Sequence, residues 1–227
     1  MKILLINGSP KVESDTLLLS HAFLEGIKTD KSVEITEIDI KNKDIKPCQG
    51  CFSCMRRDEI RCVIDDDQNE VLEKIVQSDV IIYSFPLYFY SIPSHLKASW
   101  DRLLPLVRYN VLKVGDRYDH YTKIDMTNKK FIIISGCGLP NFSSNFKALE
   151  IICKNTFYTP ICIFVPQTPI LNNDRAKPIT DPLINKFREA GKEFIDTLSL
   201  SDATIKELEK PMLDNNIYME IINSKNE

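Results

Sequence analysis

Four short, unbroken apolar runs constrain this chain more than any other feature: Lys2–Ile6, Val80–Tyr83, Phe131–Ile134 and Ile161–Val165, each bounded by Gly, Pro, Asn or Ser. A strand with one wet face alternates apolar and polar residues. An unbroken run instead implies a strand covered on both faces, as in a parallel sheet flanked by helices. A weaker alternating stretch, SVEITEID from Ser32 to Asp39, fits an edge strand. Helical periodicity fills the gaps, over Thr16–Ile27, Asp66–Gln77, Pro93–Leu104, Ser143–Phe157 and Pro182–Leu198. Strand and helix thus alternate, which predicts an α/β three-layer, doubly wound sandwich around a five-stranded parallel sheet. At 227 residues the chain suffices for one such core.

Composition excludes several functions. Hydrophobic residues make up 43%, charged residues 27%, and the net charge is −3, so nothing attracts nucleic acid in bulk. The opening MKILLINGSP has too short an apolar run for a signal segment, and no stretch approaches eighteen apolar residues; the expectation is a cytoplasmic protein with no membrane contact. Seven cysteines are an odd number for a disulfide framework, and four of them crowd between Cys48 and Cys62. That crowding favours metal or redox chemistry. Cys153 and Cys162 sit among apolar residues and read as buried fillers.

In a doubly wound sheet, ligands bind outside the carboxyl ends of the strands. Those ends are NGSPKVESDT, SFPLYFYSIPS and SGCGLPNFSS. The first is neither a dinucleotide fingerprint nor a P-loop. It does place the hydroxyls of Ser9, Ser14 and Thr16, with Lys11, around a helix start, where free amides and the helix dipole suit a terminal phosphate. Simple helix capping by Ser14 or Asp15 is the competing reading. The second loop offers Pro86, Leu87, Tyr88 and Phe89, and the third offers Gly136 and Gly138, where backbone can approach closely. A flat apolar ring fits between them; core packing of the aromatics is the alternative. The stretch PCQGCFSCMRRDEIRC spaces Cys48, Cys51, Cys54 and Cys62 as Cys-x2-Cys-x2-Cys-x7-Cys. Four thiolates in one loop suit a [4Fe–4S] cluster; zinc sites more often use two separated pairs, and free loop thiols are the third possibility.

Taken in order, NGSPKVESDT, the cysteine segment with the acidic pair Asp66 and Asp67, SFPLYFYSIPSHLKASWDRLLPL with Leu96-Lys97 and Asp101-Arg102, and GDRYDHYTKIDMTNKKFIIISGCGLPNFSSNF resemble the flavodoxin-like NAD(P)H-dependent FMN reductases, in the branch that includes the iron–sulfur flavoproteins. The resemblance spans Met1 to Leu198. It implies strand order 2-1-3-4-5, an FMN-binding domain over residues 1–198 with a cysteine loop at 41–64 and an insert at 105–130, and a C-terminal extension over 199–227. The extension's apolar patch NNIYMEII is expected to dock on the core or on a second subunit. It also implies FMN phosphate at Ser9, Lys11, Ser14, Asp15 and Thr16, beside Leu17, and the isoalloxazine ring at Pro86, Leu87, Tyr88 and Phe89, near Gly136, Cys137 and Gly138. Phe85 stands where the family usually has Ser or Thr, and Gln68 where Met is common.

The activity implied is hydride transfer from NAD(P)H through FMN to a small acceptor such as a quinone, a nitroaromatic, a flavin or a metal ion. Two other readings stay open: an iron–sulfur electron carrier serving ferredoxin-like partners, its cluster held by Cys48, Cys51, Cys54 and Cys62, and a flavin- or redox-sensing binding protein. No catalytic side chain is demanded. His120 and Tyr121 are candidates for the acceptor side, while His21 and His95 read as structural and Lys97–Asp101 as a solvated pair. With no separate nicotinamide domain, a homodimer or homotetramer is expected, its site completed by Tyr109, Tyr118, His120 or Tyr121 of a neighbouring subunit.

Overall fold

The computed structural model describes residues 1–30 and 32–224. The apolar runs form the strands β1 (Lys2–Asn7), β3 (Val80–Pro86), β6 (Lys130–Gly136) and β7 (Ile161–Val165), and the alternating stretch forms the edge strand β2 (Glu34–Asp39). All five pair in parallel in the order β2-β1-β3-β6-β7, which is the expected 2-1-3-4-5 sheet once an intervening hairpin is set aside. Ile3–Ile6 and Val80–Phe85 are almost entirely inaccessible. Helix layers on both faces explain why those runs carry no polar residue on alternate positions.

On one face lie α1 (Asp15–Ile27) and α6 (Lys177–Thr197). They cross at two glycines: a Cβ on Gly191 would lie 2.0 Å from the Phe23 carbonyl oxygen, and one on Gly26 would lie 2.0 Å from that of Arg188. Helix α6 starts five residues before the expected Pro182. Pro178 supplies a helix start with φ already set, and Pro182 removes only a single amide near the first turn.

The opposite face carries α3 (Gln68–Gln77), α4 (Ser94–Asp101) and α5 (Lys147–Thr156), with the short α2 (Ser53–Arg56) in the cysteine loop. Three expected helices are shortened. Asp66 and Asp67 turn their carboxylates to loop amides before α3 begins, α4 gives way to a 3₁₀ turn at Leu104–Leu106, and α5 starts only at Lys147. The insert is an antiparallel hairpin, β4 (Val107–Val114) and β5 (Arg117–Thr122), turning at Gly115 with φ 62°. Two further helices, α7 (Asp202–Leu208) and α8 (Asn215–Asn223), follow α6; Leu208 joins the α1–α6 core, and Tyr218 is buried against Ile170 and Ala176. No helix among the described residues is long and apolar enough to cross a membrane.

Candidate functional site

The three loops named from sequence converge at the carboxyl edge of the sheet. Gly8 donates its amide to the Ser84 carbonyl at 2.8 Å, and Leu87 donates to the Gly136 carbonyl at 2.7 Å, so the ends of β1, β3 and β6 are laced together. Gly136 lies so close to Thr16 and Thr168 that a Cβ there would sit 2.9 Å from Thr16 Oγ1 and 2.5 Å from Thr168 Cγ2. Only a glycine lets the first and third loops meet at this distance.

In the first loop, buried Asn7 accepts the Ser9 amide at 3.0 Å and donates to Asp39, which curls the chain back over β1. Ser9 Oγ accepts the Lys11 amide at 3.2 Å. Ser14 caps α1, its Oγ accepting the Leu17 amide at 3.2 Å, so the capping reading of Ser14 holds and the Leu17 amide is committed. The amides of Asp15 and Thr16, in the first turn, have no intrahelical acceptor. The Asp15 carboxylate is drawn aside to Lys11 Nζ at 3.3 Å and Asn172 Nδ2 at 2.8 Å. Ser9, Ser14 and Thr16 are buried, and Lys11 is exposed.

The second loop is a tight turn in which Tyr88 and Ser91 exchange both backbone hydrogen bonds, at 3.0 and 2.9 Å. Its central residues, Phe89 and Tyr90, both take positive φ, 48° and 59°, a conformation that costs non-glycine residues about 1–3 kcal/mol each. Tyr88 is 43% exposed and Phe89 is 100% exposed, so neither fills the core. Pro86 and Leu87 are half-buried at the mouth of β3.

Behind the third loop, α8 carries the NNIYMEII patch, which docks on the core, one of the two expected outcomes. Buried Tyr218 of α8 donates its hydroxyl to the Gly138 carbonyl at 2.8 Å, and burial pushes its phenol up to about 12. Asn215 and Asn141 exchange two hydrogen bonds of 3.0 Å each, side-chain amide to backbone. Gln167 and Leu213 do the same at 2.9 Å. Cys137 is buried with its amide committed to the Val165 carbonyl at 3.0 Å, and burial pushes its thiol up. It therefore builds the loop rather than presenting a group from it.

Arg102 organises the cysteine loop. Its side chain and that of Asp66 are both inaccessible; it pairs with the Asp66 carboxylate and donates to the carbonyls of Lys46 at 3.0 Å and Ile64 at 3.3 Å. Burial pushes the Asp66 carboxyl up, but hydrogen bonds from Arg102 and from the Lys46 and Gln68 amides outweigh it and hold the group below its ordinary value. From the hairpin side, Lys123 Nζ donates to the Cys54 carbonyl at 2.6 Å and the Glu59 carbonyl at 3.1 Å. Cys48 and Cys51 are exposed, Cys62 is half-buried and Cys54 is buried. Burial pushes the Cys54 thiol up, and Cys62, Cys51 and Cys48 add to the effect. The Ser53 amide and hydroxyl hold the Cys51 thiol down. Among the described residues no three His, Cys, Asp or Glu side chains stand in metal-binding geometry, although the four thiols share one electrostatic neighbourhood.

The remaining sequence candidates make other contacts. His21 pairs with Glu37 at 2.9 Å on the surface, Lys97 pairs with Asp101 in solvent, and Tyr109, Tyr118 and Tyr121 are exposed on the hairpin beside half-buried His120. Phe85, the departure from Ser or Thr, is wholly buried against Trp100, and Gln68 uses its amide to satisfy the carbonyls of Ser99 and Arg102.

The chain belongs to the family described as having a flavodoxin-like fold, whose model matches residues 1–158. It is 39% identical over 110 residues to an iron–sulfur flavoprotein of Methanosarcina thermophila, a match covering 48% of this chain and 56% of that protein. An iron–sulfur flavoprotein of Archaeoglobus fulgidus is 28% identical over 170 residues, covering 75% and 76% respectively. The chain thus spans about half the length of the first of these two curated relatives. Among solved structures, an FMN-dependent NADH-azoreductase from Bacillus anthracis in complex with FMN superimposes with a TM-score of 0.62 at 16% identity, covering 86% of this chain and 99% of that one. At that identity the likeness is one of fold.

Proposed function

We propose that the chain is an FMN-dependent oxidoreductase that passes hydride from NAD(P)H to a small acceptor, a quinone, nitroaromatic, flavin or metal ion. The observation that carries this reading is the meeting of three loops around Gly136, where a Cβ would strike Thr16 and Thr168. The residues present fit FMN. Ser9, Thr16 and the first-turn amides of α1 supply donors for a phosphate, and Pro86, Tyr88 and the Gly138 backbone supply a slot for a flat ring. Bound there, FMN supplies the hydride and electron transfer. The chain's part is to hold the phosphate end, orient the ring against the Tyr88–Ser91 turn, and fix the Gly138 backbone through Tyr218.

A second reading, an iron–sulfur flavoprotein carrying electrons between ferredoxin-like partners, is favoured by four thiols in one clamped loop and by the relatives named above. Cys48, Cys51, Cys54 and Cys62 match a [4Fe–4S] cluster in number and kind of donor. Iron content, together with direct NAD(P)H turnover, separates the two readings.

The test of the shared site is affinity. FMN should bind far more tightly than riboflavin, and Ser9→Ala or Thr16→Ala should each weaken FMN by about one to two decades, the worth of one charge-assisted hydrogen bond. Equal affinity for FMN and riboflavin would remove the phosphate assignment.

A further inference from the structure

A cavity of about 440 Å³ lies under the β4–β5 hairpin, on the α3–α5 face of the sheet. It is separate from the three loops: its floor residues Tyr83 and Phe131 precede the loop-edge residues Pro86 and Gly136 by three and five positions along β3 and β6. At roughly 3.3 Å per residue that is about 10–16 Å down the strands. The floor is aromatic, with Tyr83 and Phe157 stacked at 5.4 Å and Phe131 and Phe157 at 4.6 Å. Leu103, Leu112 and Met126 wall it, and Arg117 and His120 stand on its polar rim.

One atom gives the cavity chemical character. Tyr83 is 1% exposed and lines the space, and its hydroxyl has no hydrogen-bond partner among the described residues. Burial pushes that phenol upward. The hydroxyl meets the cavity with its proton uncommitted, so a molecule that enters with an acceptor can take it. The space falls within the range of small-molecule sites, about 300–1,000 Å³.

We infer that this cavity is a second binding site, for a flat one- or two-ring aromatic molecule whose carbonyl accepts a hydrogen bond from Tyr83. The walls take the rings, the stacked floor takes their faces, and the single donor fixes which end goes in first. Neither flavin nor the cysteine loop is needed for this binding.

Trp100 is the only tryptophan, and its ring lies 5.1 Å from that of Tyr83 and 4.9 Å from that of Phe157. Its single indole N–H resonance therefore reports on the floor. The ¹⁵N-labelled full chain is titrated with 2-acetonaphthone and with 2-ethylnaphthalene, which has similar shape and no carbonyl, both with and without FMN. The expected result is a saturable shift of the indole peak whose midpoint FMN does not change. Tyr83→Phe should weaken 2-acetonaphthone by about two- to tenfold, one neutral hydrogen bond, and leave 2-ethylnaphthalene unaltered. Leu112→Glu, a wall substitution on the hairpin, should abolish binding of both. No saturable shift in the natural sequence, equal weakening of both probes by Tyr83→Phe, or displacement of the probe by FMN would overturn the inference. Failure of FMN itself to bind would overturn the proposed function and leave this site standing.

Discussion

Replacing Arg102 with Met should be among the most damaging single changes outside the central sheet. The guanidinium is 1% exposed and serves three acceptors, the Asp66 carboxylate and the carbonyls of Lys46 and Ile64. Methionine fills much of the volume but leaves a carboxylate buried without its cation, a change that typically costs about 3–5 kcal/mol. For a chain of this length each kcal/mol moves Tm by about 2–4 °C, so a fall of about 6–20 °C is expected. Thermal unfolding followed by far-ultraviolet circular dichroism measures the fall in Tm, and urea unfolding the loss of free energy. The companion variant Arg102→Met with Asp66→Asn should recover part of the loss, because no unpaired charge then remains. The pH dependence carries its own sign. Asp66 has a folded-state value depressed below its unfolded one, so its contribution is present above about pH 4 and disappears as pH falls through the folded value. The natural chain should therefore lose more stability on acidification than the double variant does. An Arg102→Met protein within about 0.5 kcal/mol of the natural one would refute the reasoning.

Gly191→Ala should destabilise by about 1–3 kcal/mol in the same urea assay. The gain in helix propensity, about 1 kcal/mol, is outweighed because the new Cβ falls 2.0 Å from a backbone oxygen and α1 must move away from α6. Tyr218→Phe should free the Gly138 carbonyl and weaken FMN several-fold, with an altered flavin absorption band, while urea stability falls by about 1 kcal/mol; an unchanged flavin spectrum would show that the α8 contact does not reach the ring. Anaerobic reconstitution with iron and sulfide should load about four irons per chain, and Cys54→Ala should abolish most of that uptake. The same trace of iron in both proteins would leave the thiols as loop cysteines.

Much of the fold was legible because its strands are buried on both faces, and Ile3–Ile6 or Val80–Tyr83 admit no other reading. The hairpin was not, since Val111, Tyr118 and Tyr121 are exposed and neither strand has the clean alternation of a half-buried sheet. The sequence holds two prolines near the start of α6, and local pattern does not separate Pro178, which opens the helix, from Pro182, which the helix tolerates inside it. At the site, the loops after β1, β3 and β6 were found from position alone, because a doubly wound sheet leaves only those ends open. Their supports were invisible. Tyr218 is 80 residues from Gly138, Arg102 is 36 from Asp66, and no local pattern marks either pairing. Ser14 caps α1 by accepting the Leu17 amide, which commits that amide but leaves the Ser14 hydroxyl proton free to donate.

The clamp on the cysteine loop also sets an order of events during synthesis. Cys54 is held by Lys123, 69 residues further along the chain, and the Lys46 carbonyl by Arg102, 56 residues further. At a translation rate of about 5–20 residues per second, about 3–14 s pass between the emergence of Cys54 and that of the lysine which holds its carbonyl. Through that interval the four thiols belong to an unclamped nascent segment, open to oxidants and to metal ions. The interval bears most on Cys54, the one of the four that the finished fold buries; Cys48 and Cys51 stay exposed afterwards.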